Sequence, residues 1–292
     1  MPANRDYWKP DRVVYRRKPA KNRALLNKTR LVLVGCVIFL GLMYWGTYEF
    51  LHLDYFQITR ISVTGTKSLS ENEVQNYLAA EIEGERWHTL PNSNILFFSP
   101  ALAGQKLTDH FPAIKSASVE KHFPGEIYAS ITERTLFAVY CEDGDDTGTS
   151  TPALSPSSAP CFFMDPGGVI FREAPRVVGT LILTFVSDGM SDVELGQQVL
   201  EPDVLSGFQQ LAEAFAKIAG IAVNGFRLRK NAPDDAWVET GGGYSIIVRR
   251  DADSQKVAEI IKAVLENEIR DRASNLEYID ARFGNKVFVK YR

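Results

Sequence analysis

The longest feature of the hydrophobic pattern is an uncharged apolar run near the N-terminus, from Leu31 to Tyr48. In a helix, about 18 residues span roughly 27 Å, which is close to the hydrocarbon thickness of a bilayer. Three aromatic residues, Tyr44, Trp45 and Tyr48, cluster at the C-terminal end of the run, where such rings sit at headgroup depth. The pattern predicts a single N-terminal transmembrane helix over residues 31–51.

Downstream, over residues 56–140, strand-like alternation and helical spacing follow one another. Proline and glycine residues separate the runs, and hydroxyl residues stand where helices would begin. The pattern predicts five elements in the order β-α-α-β-β: a strand over 56–65, a helix after a capping box at Ser70, a helix opened by Ser99-Pro100 and ended by Pro112, and strands over 114–123 and 126–140.

The pattern lapses over residues 141–160, which are rich in Gly, Ser, Thr, Pro and Asp and have little to bury. We expect a low-complexity loop there. Residues 161–292 again show short strands, with amphipathic helices over 202–219 and 257–265. The chain is therefore predicted to be α+β: a membrane helix, a β-α-α-β-β domain over 56–140, and a mixed β-rich domain with two helices over 161–292.

Charge changes where the membrane helix begins. Residues 1–30 carry ten basic and two acidic side chains, whereas the whole chain has a net charge of −3. The positive-inside rule predicts a cytoplasmic basic tail over 1–30 and an exported, acidic ectodomain. A cleaved signal peptide is the alternative, but the apolar run is long and no A-x-A-like site follows it. The basic tail could instead bind nucleic acid. We favour the interpretation that its charges set the membrane topology and attract anionic lipids.

Two segments of the first ectodomain module have a specific pattern: LSENEVQNYL over 69–78 and FPAIKSASVEKHFPGEIYASITER over 111–134. Together with the β-α-α-β-β order, they resemble the POTRA module in the variant found in the FtsQ/DivIB family of bacterial cell-division proteins. The end of the chain resembles the closing hairpin of that family, whose Asp-Leu-Arg tripeptide stands here as Asp280-Ala281-Arg282. Ala281 departs from the usual leucine.

The resemblance implies a non-enzymatic divisome scaffold in the plasma or inner membrane at the division site, linking division proteins to septal cell-wall synthesis. An exported enzyme acting on cell-wall polymer and a POTRA-type chaperone for exported chains are the alternatives. The resemblance implies two kinds of partner: FtsB/FtsL-type coiled-coil proteins at the C-terminal hairpin and other divisome components at the POTRA-like module.

The final strand is the expected site of strand addition, because no later segment follows to pair with it. Lysines alternate there with apolar residues, which discourages indiscriminate pairing. Core or edge packing is the alternative interpretation for each apolar residue, since such residues are ordinary in strands. By position, the resemblance nominates Phe283, Asn285 and Tyr291 as partner-binding residues. The apolar residues that alternate with the lysines, Val287 and Val289, are added to them as residues that could favour a particular ligand.

Candidate chemistry adds little to this picture. The chain contains no G-x-S-x-G, H-E-x-x-H or Walker motif, so we expect no catalytic, metal or cofactor site. Glu133 and Arg134 would suit a catalytic ion pair, but a salt bridge at the join between modules is favoured, because no nucleophile accompanies them. Cys141 and Cys161 bracket the loop, and we predict a disulfide there if the exported compartment is oxidising.

Overall fold

The computed structural model describes residues 22–83, 85–86, 90–143, 160–176, 181–188, 193–284 and 286–292. Most of the predicted basic tail and of the predicted loop, together with Asn285, lies outside these residues. The α-helices are α1 Asn22–Leu51, α2 Glu71–Ile82, α3 Pro100–His110, α4 Pro202–Ala214 and α5 Ser254–Val264. The strands are β1 Arg60–Thr64, β2 Glu85–Arg86, β3 Leu90–Pro91, β4 Ile114–His122, β5 Glu126–Glu133, β6 Ala138–Asp143, β7 Cys161–Met164, β8 Ile170–Ala174, β9 Thr184–Asp188, β10 Val223–Arg229, β11 Ala232–Thr240, β12 Ser245–Arg249, β13 Leu276–Phe283 and β14 Lys286–Tyr291.

Helix α1 contains the predicted membrane segment and begins earlier than expected, at Asn22. Its apolar part, Arg30–Leu51, is 22 residues long and none of it is buried against the rest of the protein. At 1.5 Å per residue this length is about 33 Å, enough to cross the hydrocarbon core of a bilayer. The helix fits a single-pass membrane protein.

The predicted β-α-α-β-β order is present, with the short hairpin β2–β3 added between the two helices. The sheet has the order β1-β5-β4, with β1 parallel to β5 and β4 antiparallel to it. Helices α2 and α3 contribute fully buried side chains, among them Val74, Leu78 and Leu107, to the same core as Ile114 of β4 and Ile127 of β5.

The two predicted helix starts differ in outcome. Ser99 caps α3, since its hydroxyl accepts a hydrogen bond from the Leu102 N–H at 3.5 Å and Pro100 follows at the first helical position. The predicted capping box of α2 is wrong, because the side chain of Ser70 makes no capping hydrogen bond. A distant carboxylate, Glu133, accepts hydrogen bonds from the turn just before α2 instead.

The predicted strand 126–140 is two strands in the structure. β5 ends at Glu133 and β6 begins at Ala138, and β6 belongs to the sheet of the second domain. Arg134 marks the change of direction, because its backbone N–H donates to Ala113 and its side chain contacts the second domain. The β-α-α-β-β domain therefore ends near residue 134 and not at residue 140.

The second domain is one mixed sheet of nine strands in the order β14-β13-β12-β11-β10-β9-β6-β7-β8. Both α4 and α5 pack on it, and each continues into a π-helical turn, over Phe215–Ala219 and Leu265–Ile269. Their inner faces join the main core, where Phe185, Phe208 and Phe226 stack with centroids 4.5–5.6 Å apart. The predicted α+β class is confirmed.

Candidate protein-binding edge

Strand β14 is the outermost strand of the nine-stranded sheet. It runs antiparallel to β13, with Ile279 opposite Val289 and Asp280 opposite Phe288. Among the described residues β14 pairs with β13 alone. The backbone N–H and C=O groups on its outer side therefore have the arrangement that accepts an added strand.

The side chains of β14 alternate between two environments. Val287, Val289 and Tyr291 are half-buried and pack against the main core. Lys286, Phe288 and Lys290 are exposed on the opposite face. Three of the predicted partner-binding residues thus extend the core at the sheet edge, where a partner strand would cover them further.

An aromatic pair stands on the exposed face of this hairpin. Phe283 and Phe288 are each 55% exposed, and their rings meet edge to face with centroids 5.5 Å apart. Large exposed aromatic side chains are typical anchors of protein interfaces. Phe288 was not among the residues nominated from the sequence. The sequence does contain a signal for Phe288. Because side chains alternate between the two faces of a strand, Phe288 lies on the same face as Lys286 and Lys290.

The Asp280-Ala281-Arg282 tripeptide holds the hairpin to the sheet. Arg282 donates to Asp280 at 2.6 and 2.9 Å and to Asp235 of β11 at 2.5 Å. Burial raises the pKa of the Asp280 carboxyl, but the hydrogen bonds from Arg282 outweigh burial and keep that pKa below its ordinary value. Ala281 is buried in the main core. The tripeptide therefore fixes the position of β13, to which the open strand is paired.

The structure pairs Cys141 and Cys161 as a disulfide, with the two residues directly opposite each other in β6 and β7. The bridge joins the two ends of the segment predicted to be a loop, of which residues 144–159 lie outside the described residues. Val139 and both cysteines form a small apolar cluster separate from the main core. The bridge lies at the opposite side of the sheet from β14, with five strands between β6 and β14.

The join between the domains uses Glu133 and Arg134, but the two do not form the expected salt bridge with each other. Arg134 donates to Asp165 at 2.7 Å and to the Pro112 carbonyl at 3.0 Å. Asp165 is 2% exposed and also accepts from two backbone N–H groups of its own turn. The second domain is thereby fixed to the end of β5.

Glu133 completes the join from the other side. Arg172 of β8 donates to the Ser68 hydroxyl, which donates in turn to Glu133 at 2.6 Å. Burial favours the neutral acid, but the hydrogen bonds from Ser68 and from the backbone N–H groups of residues 67–69 outweigh it and lower the pKa of Glu133 from 4.5 to about 2. A cleft of about 280 Å³ opens beside this contact and is lined partly by Phe111, Pro112 and Phe171.

Comparison with known proteins assigns the first ectodomain. The family model of the POTRA domain, FtsQ-type, matches residues 56–134, which are the three-stranded sheet with α2 and α3 and stop where β5 ends. A search of curated proteins found no match. The chain therefore carries a POTRA domain of the FtsQ type at residues 56–134, which confirms the predicted resemblance to the FtsQ/DivIB family at that domain.

Proposed function

We propose that this protein is a divisome scaffold that binds a partner by strand addition along β14. The FtsQ-type POTRA domain supports a scaffold role in cell division and implies protein-protein interaction there. The observation that carries the finer proposal is that no other strand of the described residues pairs with the outer side of β14, which lies beside the exposed Phe283–Phe288 pair. Catalysis is not part of the proposal.

The edge offers a partner two different surfaces. A strand laid along β14 would take its backbone hydrogen bonds and cover the half-buried side chains of Val287, Val289 and Tyr291. A side chain reaching over the opposite face would meet the Phe283–Phe288 pair. Lys286 is exposed beside these rings, so the proposed partner strand has an acidic or polar residue near that position.

The proposed partner is a coiled-coil division protein of the FtsB/FtsL type, held in the same membrane. The resemblance at the closing hairpin suggests this class, and the chain would meet it on the exported side of the bilayer. The proposal includes a cytoplasmic N-terminus, because the ten basic residues precede the apolar helix. Other divisome components would bind the POTRA domain.

The buried carboxylates have a structural explanation that needs no reaction. Asp165 and Asp280 are 2% and 6% exposed, and each is ion-paired with an arginine that holds two elements together. Their burial therefore gives no specific support to the alternative of an exported enzyme.

The test of the edge is capture of the FtsB/FtsL-type partner by the full-length protein in detergent or nanodiscs. The variant Phe283→Ala plus Phe288→Ala removes the aromatic pair, and we expect affinity to fall at least about tenfold, the loss typical of interface anchors. The matched control is Leu181→Ala plus Leu195→Ala, which removes two exposed apolar side chains from the same domain outside the β14 hairpin. Equal affinity of both variants would reject the proposed contact.

The site of action is tested separately by fluorescence of a labelled fusion in dividing cells. The proposal expects a band at the division site that requires the ectodomain. A uniform membrane signal throughout division would contradict the divisome assignment while leaving the strand-binding edge to the capture experiment.

A further inference from the structure

The POTRA domain is hydrogen-bonded directly to the end of the apolar helix. Asn94 is fully buried, and its side-chain amide donates to the carbonyl of Leu51, the last residue of α1, at 2.7 Å. Backbone bonds continue the contact, since Ile58 donates to Ser93 at 2.7 Å and Ile95 donates to Phe56 at 2.9 Å. The loop around Asn94 therefore lies where the chain leaves α1.

The turn between β4 and β5 lies at the same end of the domain. The Gly125 carbonyl accepts from the backbone of Thr59 at 2.8 Å, and Arg60 at the start of β1 stands opposite Glu126 at the start of β5. The two parallel strands then run away from α1 together. β5 has eight residues, so its other end is roughly 25 Å away, and the contact with the second domain is made there.

This end of the POTRA domain exposes a group of large apolar side chains. They belong to three separate segments: the link after α1, the loop after Asn94 and the β4–β5 turn. We call them the membrane-proximal patch; its members and their exposed fractions are Leu53 48%, Tyr55 66%, Leu96 40%, Phe97 43% and Phe123 63%.

The charged groups around the patch are mixed. Lys121 is half-buried, and its ammonium group donates to the Leu96 carbonyl at 3.4 Å. Arg60 and Asp54 are exposed nearby in the chain, and Glu126 accepts from the Ser62 hydroxyl. Aromatic rings and leucine side chains beside a lysine with an apolar stem are the composition that suits the headgroup layer of a bilayer.

We propose that the membrane-proximal patch inserts into the headgroup layer of the bilayer, so that the POTRA domain sits on the membrane surface in a fixed orientation. The occupant is lipid because the patch is continuous with the span: about 33 Å of apolar helix ends at Leu51, and Leu53 follows two residues later. Exposed apolar groups at that depth are removed from water by lipid without any protein partner. The proposal rests on α1 crossing the membrane.

The experiment uses the full chain alone, in nanodiscs of phosphatidylcholine and phosphatidylglycerol. Cys36 is replaced by alanine, and the Cys141–Cys161 disulfide leaves no other thiol to label. An environment-sensitive fluorophore is attached in turn at Phe97→Cys and Phe123→Cys. We expect lipids with a nitroxide on the headgroup to quench both probes, and lipids with a nitroxide deep in the acyl chain to quench them less.

Two control positions distinguish a failure of the patch proposal from a failure of α1 to cross the bilayer. Leu40→Cys lies within the span and must be quenched by the acyl-chain nitroxide, which tests whether α1 is in the bilayer. Leu136 is 46% exposed and lies just beyond the far end of the POTRA domain, so a probe at Leu136→Cys should be quenched by neither lipid. A quenched probe at position 40 with unquenched probes at 97 and 123 overturns the proposal, whereas an unquenched probe at position 40 overturns the span on which it rests.

A charge variant tests the patch without altering the reporter site. With the fluorophore at Phe123→Cys, the added changes Leu96→Asp and Phe97→Asp should abolish headgroup quenching, because two carboxylates do not enter the interface readily. Lysines at the same two positions provide the matched control, since their stems can lie at the interface. Unchanged quenching in the aspartate variant would contradict the proposal.

Discussion

The two edges of the nine-stranded sheet differ in whether another segment of the described residues is hydrogen-bonded to them. At the β8 edge, residues 196–199 lie along the end of the strand: Ile170 donates to Gln197 at 3.1 Å and accepts from Gly196 at 2.7 Å, and Val199 donates to Gly168 at 2.8 Å. At the β14 edge, no segment among residues 286–292 or the other described residues pairs with the outer side.

The difference between the two edges supports β14 as the proposed binding edge. Unpaired strands invite aggregation, and proteins usually cover them or guard them with charge. The β8 edge is covered where the strand begins, at residues 168–170, and Arg172 further along it is tied to the POTRA domain through Ser68. The β14 edge is guarded by Lys286 and Lys290 and keeps an aromatic pair beside it. A selective partner is the explanation that fits an edge left open in this way.

The largest effect that separates the edges is expected from two glycines with positive φ. Gly168, at the covered edge, has φ +76°, and an added Cβ would lie 1.8 Å from the Leu200 carbonyl oxygen. We expect Gly168→Ala to lower the free energy of unfolding by about 3–4 kcal/mol, because the covering segment must shift. Gly284, at the open edge, has φ +69° and no atom within 4 Å of such a Cβ, so Gly284→Ala should cost about 1 kcal/mol.

Chemical denaturation of both glycine variants checks this prediction. Sedimentation adds a second measurement, because displacement of the covering segment in Gly168→Ala should promote self-association through the newly exposed β8. Equal stability losses, with no self-association of Gly168→Ala, would show that the cover does not depend on this close approach.

The second-largest difference in stability is expected between variants of the two buried ion pairs, Arg134–Asp165 near the β8 edge and Arg282–Asp280 near the β14 edge. Asp165→Ala leaves Arg134 without its partner and two backbone N–H groups without an acceptor, so we expect a loss of about 3 kcal/mol. Asp280→Ala should cost less, about 2 kcal/mol, because Arg282 keeps Asp235. Thermal or urea unfolding of both variants measures the order, and a larger loss for Asp280→Ala would reverse the assignment.

The pH dependence of stability sharpens the description of the covered side. The pKa of Glu133 is lowered to about 2 in the folded protein, so its stabilisation is present above pH 4.5 and is lost as the pH falls toward 2. Allowing for solvent screening, we expect about 2 kcal/mol from this group. Glu133→Gln should be less stable than the parent at pH 7 and equally stable near pH 2. A stability difference that does not change with pH would refute this origin.

The smallest effect separates the two faces of β14. Val289→Ala should lower stability by about 1 kcal/mol, because the side chain packs against the core. Phe288→Ala should change stability by no more than about 0.5 kcal/mol, because the ring is 55% exposed. Partner binding should nevertheless be weakened by Phe288→Ala. Denaturation curves and partner affinity measured on the same samples check both statements, and a core-like stability loss for Phe288→Ala would contradict them.

Much of the fold followed from local pattern. The uncharged apolar run gave α1, the Ser99-Pro100 start gave α3, and the spacing from Val257 onward gave α5. These elements were predictable because hydrophobic period and helix caps act over a few residues.

Contacts between distant residues accounted for the errors. Glu133 accepts hydrogen bonds from the turn before α2 from across the domain, whereas Ser70 makes no side-chain cap. The side chain of Arg134 binds Asp165, 31 positions later in the chain. Phe288 was missed because its exposure depends on which face of β14 meets the core. A local pattern contains none of these facts, since each is a choice among partners that only packing brings together.

The sequence by itself determined the apolar N-terminal helix and the POTRA domain, because hydrophobic periodicity and a specific motif depend on residues that are neighbours in the chain. Only the tertiary structure decided that the start of the β8 edge is covered, that Phe283 and Phe288 meet on the exposed face of the hairpin, and that an apolar patch lies beside the end of α1. Those features join segments far apart in the chain, and their free energy comes from surfaces and hydrogen bonds that exist only after folding.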